Sequence, residues 1–176
     1  MRLPFFVAVA AGLLVACSSE TSGPPCDPDK YEPNDTPSSA KDLGSFTDDP
    51  DSDQSLELSI TSGSDVDFFR LDVKDRGIGG DPVVTVNAPE GYEVTTWFSC
   101  LTGNPPSDFA CSRGETVTEK DIRPTPGCKT IAPSGSVVSS TDCSGTSDDD
   151  GTVLVRVRRI DTGQTCSNYS IAVQVH

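Results

Sequence analysis

The sequence predicts an all-β fold, an antiparallel β-sandwich of about eight strands that is held together by disulfide bonds. Two further observations support this class: apolar and polar residues alternate in short runs, and Gly and Pro cluster between these runs. No stretch shows a sustained helical period, apart from a turn at 37–42. A unit spanning 26–176 is long enough to bury one hydrophobic core, so a single folded domain is expected there.

The alternation places apolar residues on one face of each predicted strand. In the run Leu56, Leu58 and Ile60, for example, the polar residues Glu57 and Ser59 fall on the opposite face. In chain order the predicted strands are 56–60, 69–73, 82–88, 92–101, 115–122, 136–140, 153–157 and 169–175, with a weaker pattern at 115–122 and 136–140. Short strands separated by turns at this spacing are typical of a sandwich.

Trp97, the only tryptophan, has the opposite parity to Val94 and Phe98 in the predicted strand 92–101. It is either an exposed contact residue or a core residue in a strand that is buried on both faces. We favour the second interpretation, because large aromatic rings contribute most when they are buried.

The first 16 residues have the pattern of a signal peptide. A positive charge at Arg2 precedes an apolar run at 5–15, which is too short for a membrane-spanning helix of about 20 residues. Residues 14–17, Leu-Val-Ala-Cys, resemble a bacterial lipobox. The resemblance implies that Cys17 becomes the lipidated first residue of the mature protein. Ordinary secretion with cleavage elsewhere is the alternative.

Lipidation of Cys17 would anchor the protein to a membrane of the cell envelope through its acyl chains. Ser18 follows this cysteine, and by analogy with sorting in Gram-negative bacteria the absence of Asp at that position favours the outer membrane. Residues 17–25 are mostly small and polar, so we expect them to form a flexible tether between the lipid and the domain at 26–176.

The composition is strongly acidic, with 27 Asp and Glu residues against 13 Lys and Arg. Loss of Arg2 with the signal peptide changes the formal net charge from −14 to −15. This sign disfavours nucleic acid and anionic lipid head groups as partners. It suits divalent cations or basic peptides, although a solvated acidic surface explains the same composition.

Six cysteines remain when the lipidated one is set aside, and in an exported chain they predict three disulfide bonds. The sequence leaves their pairing open. We prefer a pairing that closes two local loops and connects the start of the domain to its last hairpin: Cys100 with Cys111, Cys128 with Cys143, and Cys26 with Cys166.

An acidic turn is predicted at Glu32-Pro33-Asn34-Asp35. Pro33 fixes its own φ angle and favours an extended Glu32, whereas Asn34 and Asp35 favour turns because their side chains bond to nearby backbone. We therefore expect the side-chain oxygens of Glu32, Asn34 and Asp35 to lie close together.

A second acidic motif lies in the strand-like segment that starts at Asp65. Asp65 and Asp67 share a strand face with Phe69, which places Asp67 beside an apolar surface where a carboxylate needs a partner. One partner is Ca²⁺, which takes about six to eight oxygen ligands. The candidate ligands are Glu32, Asn34, Asp35, Asp65 and Asp67. The alternative is that Asp67 accepts backbone N–H bonds from the 32–35 turn and so connects the N-terminal segment to the sandwich.

Taken together, these motifs resemble the bacterial pre-peptidase C-terminal domain family. The sequences EPND at 32–35 and SDVDFFRL at 64–71 carry the resemblance, and GTVLVRV at 151–157 and CSNYSIAVQV at 166–175 are similar to the family's last two strands. The segment 104–147 departs from the family's pattern. The resemblance implies a jelly-roll-like β-sandwich that serves as an accessory module on secreted or surface proteins. Some relatives bind collagen or carbohydrate and others have no known ligand, and calcium-binding relatives use the matching acids.

The sequence contains no recognisable catalytic arrangement. A serine or cysteine nucleophile needs a base, usually histidine, and the only histidine is His176 on the outward parity of the last strand. The lack of a Cys-X-X-Cys pair and of further histidines also disfavours zinc. The acidic run at 49–53 lacks the glycine and the acid that an EF-hand loop needs at its sixth and twelfth positions.

We therefore expect a non-catalytic, lipid-anchored protein of the cell envelope whose ligand is a polysaccharide or an envelope protein. No cofactor is required, and calcium is the candidate bound ion. Two alternatives remain open: a purely structural envelope component, and a hydrolase that works through paired carboxylates.

Overall fold

The computed structural model describes residues 27–47, 54–74, 82–102, 104, 106–122, 126–131, 135–137, 140–143, 150–161 and 166–175. Within these residues the chain forms twelve strands and one short 3-10 helix at Pro37–Ser39. The strands are β1 (Lys41–Thr47), β2 (Gln54–Ile60), β3 (Val66–Lys74), β4 (Pro82–Asn87), β5 (Tyr92–Cys100), β6 (Asp108–Ala110), β7 (Glu115–Val117), β8 (Gly127–Ile131), β9 (Gly135–Val137), β10 (Ser140–Asp142), β11 (Gly151–Arg159) and β12 (Ser167–Val175). The predicted all-β class is confirmed.

Two sheets form the body of the fold. One has six strands in the order β1-β3-β11-β5-β8-β7, and the other has four in the order β2-β12-β4-β9. Strands β6 and β10 form a separate two-stranded ribbon. The chain changes sheet at each connection from β1 to β5 and again between β11 and β12, as the connections of a sandwich require. In the described residues no helix has the length and hydropathy needed to cross a membrane.

The hydrophobic core lies between the two sheets and follows the alternation of the sequence. In β3, Phe69, Leu71 and Val73 are buried, whereas Arg70 and Asp72 on the opposite face are exposed. Other core residues from the two sheets are Phe46, Leu58, Ile60, Val86, Val94, Phe98, Val153, Val155, Val157, Ile171 and Val173. Their burial confirms the sandwich that the sequence predicts.

Strand β5 is buried on both faces. Val94 and Phe98 belong to the core between the sheets, while Trp97 lies on the outer face of the six-stranded sheet and is only 2% exposed. There it packs against Phe68 and Ile122 in a second, smaller apolar cluster. The favoured interpretation of Trp97 as a buried residue is therefore confirmed.

The structure has more strands than the sequence predicted. The predicted strand at 115–122 ends at residue 117, and the predicted strand at 136–140 is replaced by β9 and β10. Strands β1, β6 and β8 were not predicted. Their sequences are short or lack a sustained period-2 pattern, so they depend on neighbouring strands for their conformation.

Strand β1 also departs from the expected antiparallel arrangement, because it pairs in parallel with β3. The register shifts between Asp42 and Ser45. Gly44 occupies this irregularity with a φ of 100°, and its N–H donates a 2.7 Å hydrogen bond to Asp42 Oδ1. A left-handed residue in the middle of the strand interrupts the alternation, which is why the sequence pattern does not reveal β1.

Disulfide bonds are confirmed, but the two preferred local pairings are wrong. Cys100 is bonded to Cys143, and Cys111 is bonded to Cys128. The short strand β10 returns beside β6 and places Cys143 near the end of β5, so the nearest cysteine in space is not the nearest in sequence. Cys166 is also disulfide-bonded.

Several sequence predictions concern residues outside the described part of the chain. They are the signal peptide at 1–16, the lipidation of Cys17, the tether that follows it, Cys26 as the partner of Cys166, and the acidic run at 49–53.

We predict that Gly127→Ala destabilises the fold by about 1 to 3 kcal/mol through overpacking. Gly127 lies opposite Trp97 in the β5–β8 pair, and a Cβ added there would lie 2.5 Å from Trp97 Cδ1. Urea unfolding measures the change. Gly63→Ala is the matched control, since an added Cβ meets nothing within 4 Å there. Equal stability of the two variants would contradict the prediction.

Candidate metal centre

The segment before the acidic turn is held against both sheets. Asp29 Oδ2 accepts the N–H of Ser59 in β2 at 3.1 Å, and Ser59 Oγ donates to the carbonyl of Asp27 at 3.2 Å. Tyr31 packs edge-on against Phe69 of β3, with 5.8 Å between ring centroids. The segment therefore spans from the four-stranded sheet to the six-stranded sheet and brings the 32–35 turn to one end of the sandwich.

The β2–β3 turn positions Asp65. Its Oδ2 accepts two hydrogen bonds from Thr61, one from the N–H at 2.6 Å and one from the hydroxyl at 2.8 Å. Its own N–H lies 3.3 Å from the carbonyl of Ser62. These bonds fix a largely buried carboxylate at the start of β3, facing the acidic turn.

Asp67 is completely buried and receives its hydrogen bonds from side chains. The hydroxyl of Tyr169 in β12 donates to Asp67 Oδ2 at 2.5 Å. The amide of Asn34 lies 3.1 Å from Asp67 Oδ1 and 2.9 Å from Glu32 Oε2, and it donates to both carboxylates when its nitrogen faces them. Asn34, also completely buried, thus connects the acidic turn to β3.

The backbone adds to this connection. The N–H of Phe68 donates to the carbonyl of Asn34 at 2.9 Å, and the N–H of Asn34 donates to Glu32 Oε2 at 3.2 Å. The turn is therefore joined to β3, but not by the backbone N–H bonds to Asp67 that the alternative to a metal site expected. The backbone bond is donated by Phe68 of β3 to the turn, and the turn contacts Asp67 through the side chain of Asn34.

All five predicted ligands lie at this end of the sandwich. Oxygen atoms of Glu32, Asp65 and Asp67 lie within 4.8 Å of one another, a spacing at which they could hold a metal ion. Asn34 contacts two of these carboxylates, those of Glu32 and Asp67. A cavity of about 280 Å³ beside the cluster is lined by Glu32, Asp35 and Asp65, together with Pro28, Thr61, Ser62 and Ser64. Asp67 and Asn34 do not line this cavity.

Burial and neighbouring negative charge raise the pKa values of two acids in this cluster. Burial, together with the negative charges of Asp65, Asp29 and Glu32, raises the pKa of Asp67 to about 8 against the opposing effect of the bond from Tyr169. Burial and the charge of Asp65 also raise the pKa of Glu32. Negative charge is therefore poorly compensated here, so the cluster favours either bound protons or a cation.

The donor set fits a hard cation. Carboxylate and amide oxygens are the ligands that Ca²⁺ prefers, and the cluster contains neither the sulfur nor the imidazole typical of zinc. Sequence reasoning missed Tyr169 and Thr61, which position Asp67 and Asp65. Tyr169 lies on the inward parity of β12, but nothing in its sequence context shows which buried group its hydroxyl meets.

Comparisons with known proteins give little further information. No family model and no curated protein matches this sequence. Among solved structures, the chain is similar to the crystal structure of Aeromonas hydrophila PliG, a periplasmic lysozyme inhibitor of g-type lysozyme. The two share 10% sequence identity, and the match covers 77% of this chain and 99% of that chain with a TM-score of 0.29.

We predict that the metal-free protein loses stability as the pH rises from about 4 to about 8. Asp67 has a raised pKa in the folded state. The stability that its protonation contributes is therefore fully present below its unfolded pKa of 3.8 and is lost as the pH rises through about 8. One such group changes the unfolding free energy by at most about 1.4 kcal/mol per pH unit. Urea unfolding in EDTA measures this slope.

Asp67→Asn should flatten the slope, because an amide does not titrate. Asp108→Asn removes one exposed acid of β6 and controls for the change in net charge. The same slope in the Asp67→Asn variant and the unmodified protein would show that other acids cause the pH dependence.

Proposed function

We propose that this protein is a non-catalytic, lipid-anchored module of the cell envelope whose β-sandwich binds calcium and presents a ligand-binding surface. The cluster of Glu32, Asp65 and Asp67 is the observation that carries the calcium part of the proposal. In this proposal Asp35 joins the ligand set, and Asn34 would contribute its amide oxygen once its side chain turns the nitrogen away from Glu32 and Asp67. The ion supplies positive charge among oxygens that otherwise repel one another.

Calcium would act structurally. Glu32 belongs to the segment that follows the tether, whereas Asp65 and Asp67 belong to the β2–β3 turn and to β3. An ion bound by all three would strengthen the link between the tethered end of the chain and both sheets. This arrangement supports a fixed orientation of the sandwich relative to its anchor.

The non-catalytic role is supported by the chemistry of the cluster. Its carboxylates are engaged in hydrogen bonds by Thr61, Asn34 and Tyr169, which suits a structural site. The single histidine of the sequence is His176, so a histidine base for a nucleophile could come only from the last residue. We propose a polysaccharide or an envelope protein as the ligand of the sandwich.

The lipid anchor is proposed from the sequence. The lipobox-like residues 14–17 place Cys17 directly after a small residue, and a polar tether precedes the folded domain. Anchoring by several acyl chains would hold the module at a membrane, for which we propose the outer membrane.

Calcium binding is tested by thermal unfolding of the purified protein in excess EDTA and across a calcium titration. A site that binds only the folded state stabilises it by about 2.7 kcal/mol at 100-fold saturation. We expect Asp67→Asn and Asp35→Asn to abolish the rise in midpoint. Asp108→Asn, which removes an acid far from the cluster in sequence, should retain it. No rise up to millimolar calcium would refute the calcium part alone.

The lipid anchor is tested by labelling cells with a radioactive fatty acid. We expect the label on the unmodified chain and none on Cys17→Ser, which should also leave the membrane fraction. Cys26→Ser is the matched control, because it removes a cysteine but leaves the lipobox intact. Label on both variants would exclude Cys17 as the lipidation site.

A further inference from the structure

The outer face of the six-stranded sheet is covered by a short turn, residues 118–122, which we call the strap. Two of its residues contact the sheet: Glu119 binds Arg156, and Ile122 is buried in one apolar cluster with Phe68 and Trp97. Thr118, Lys120 and Asp121 are exposed. The N–H of Ile122 lies 3.3 Å from the carbonyl of Glu119, so the turn itself sets the spacing of the two anchoring side chains.

Glu119 holds Arg156 in the manner of a bound ligand. Its Oε2 lies 2.8 Å from Nη1 and its Oε1 lies 2.8 Å from Nη2, which is the bidentate geometry of arginine with a free carboxylate. The guanidinium of Arg156 also lies over the Trp97 ring, with its Cζ 5.1 Å from the centroid. The strap thus places a carboxylate on a buried arginine that stacks on an aromatic ring.

The arginines under the strap have hydrogen-bond partners other than Glu119. Glu93 accepts from Arg156 at 3.1 Å and from Arg158 at 2.8 and 3.0 Å, and Thr95 Oγ1 accepts from Arg156 at 3.1 Å. Lys129, opposite Thr95 on the other side of β5, is paired with Glu115 at 2.7 Å. Two arginines therefore meet Glu93 and Glu119, and without Glu119 they share the single carboxylate of Glu93, which leaves one positive charge uncompensated.

One polar atom of the arginine that Glu119 binds is left without a partner. Arg156 Nε is buried and has no hydrogen-bond partner among the described residues, and its side chain is more than nine-tenths buried. Such an atom is costly in a closed structure, and a polar ligand bound to this guanidinium could reach it. Trp97 Nε1 is also unpartnered, but it faces Gly127 of β8, where an added Cβ would lie 2.7 Å from it.

The attachment of the strap is also limited. The side chain of Glu119 is 36% exposed, so water reaches its end of the ion pair and weakens the attraction to the buried Arg156. Arg156 keeps Glu93 and Thr95 as partners when Glu119 leaves, so it is not left as an isolated buried charge. Ile122 is the one apolar contact that the strap makes with the described part of the sheet.

We propose that the strap is a displaceable internal ligand, and that the surface under it docks an acidic turn of a partner protein. The partner would present a carboxylate to Arg156 and, three residues later, a large apolar side chain to Phe68 and Trp97, as Glu119 and Ile122 do within the chain. The cations around β5 complement such an acidic segment. This docking role rests on the proposed binding function but needs neither calcium nor the lipid anchor.

Trp97 is the only tryptophan, so its fluorescence reports on this surface alone. The experiment compares the purified protein with Glu119→Gln, which removes the carboxylate charge and keeps the side-chain shape. We expect acrylamide to quench Trp97 weakly in the unmodified protein, where the ring is 2% exposed, and more strongly in Glu119→Gln. Glu115→Gln, which removes the exposed ion pair with Lys129 on the neighbouring strands, should leave quenching unchanged.

Docking is then measured with a synthetic capped peptide of the sequence 117–122, with Trp97 fluorescence as the readout. A second peptide carries Gln in place of Glu. We expect the Glu119→Gln protein to bind the original peptide about tenfold more tightly than this second peptide, because the bidentate bond is charge-assisted. The unmodified protein should bind it at least about tenfold more weakly, since its own strap occupies the surface.

Ile122→Ala provides a second route if Glu119→Gln fails to fold, and the same increases in quenching and peptide binding are expected. Unchanged quenching in both variants, or equal binding of the Glu and Gln peptides, would overturn the proposal. If either variant sediments as a dimer, the proposal is also overturned, because a second copy of the chain would then occupy the surface. Each of these results leaves the calcium and lipid tests unaffected.

Discussion

The buried carboxylate of Asp67 is the group on which one end of the sandwich depends. Asp67 lies in β3 of the six-stranded sheet and Tyr169 lies in β12 of the four-stranded sheet, so the hydrogen bond between them joins the two layers. Asn34 adds the N-terminal segment at the other carboxylate oxygen. Because a buried carboxylate without partners is costly, the positions of all three segments are coupled through one side chain.

Much of this site could be predicted from the sequence because its acids occur in two local motifs. A turn at 32–35 and a strand with Asp65 and Asp67 on one face follow from backbone preferences and period-2 geometry. That these motifs meet in space was inferred from chemistry, since Asp67 needed a partner. The contribution of Tyr169 could not be inferred, because it depends on which residue of β12 faces β3 across the core.

The disulfide pairing and the outer face show a different limit of sequence reasoning. Strand alternation predicts which residues of β5 face the core, but it does not say that a turn covers the opposite face. The ribbon of β6 and β10 and the strap at 118–122 have little periodicity of their own. Their positions are set by long-range contacts, Cys143 with Cys100 and Ile122 with Trp97, which local preferences do not encode.

Two buried acidic groups in this fold are compensated in opposite ways. Burial raises the pKa of Glu93, but the hydrogen bonds and charges of Arg158 and Arg156 more than offset it, and the pKa of Glu93 is lowered. The pKa of Asp67 is raised instead, and among the described residues no lysine or arginine forms an ion pair with Glu32, Asp65 or Asp67. The chain thus pairs a buried acid with arginine on its outer face, while the charge at the β2–β3 turn is left to protons, to Asn34, or to a cation from solution. That contrast is the physical reason to propose calcium at the turn, whereas the peptide carboxylate proposed at Arg156 rests on the bidentate geometry of Glu119.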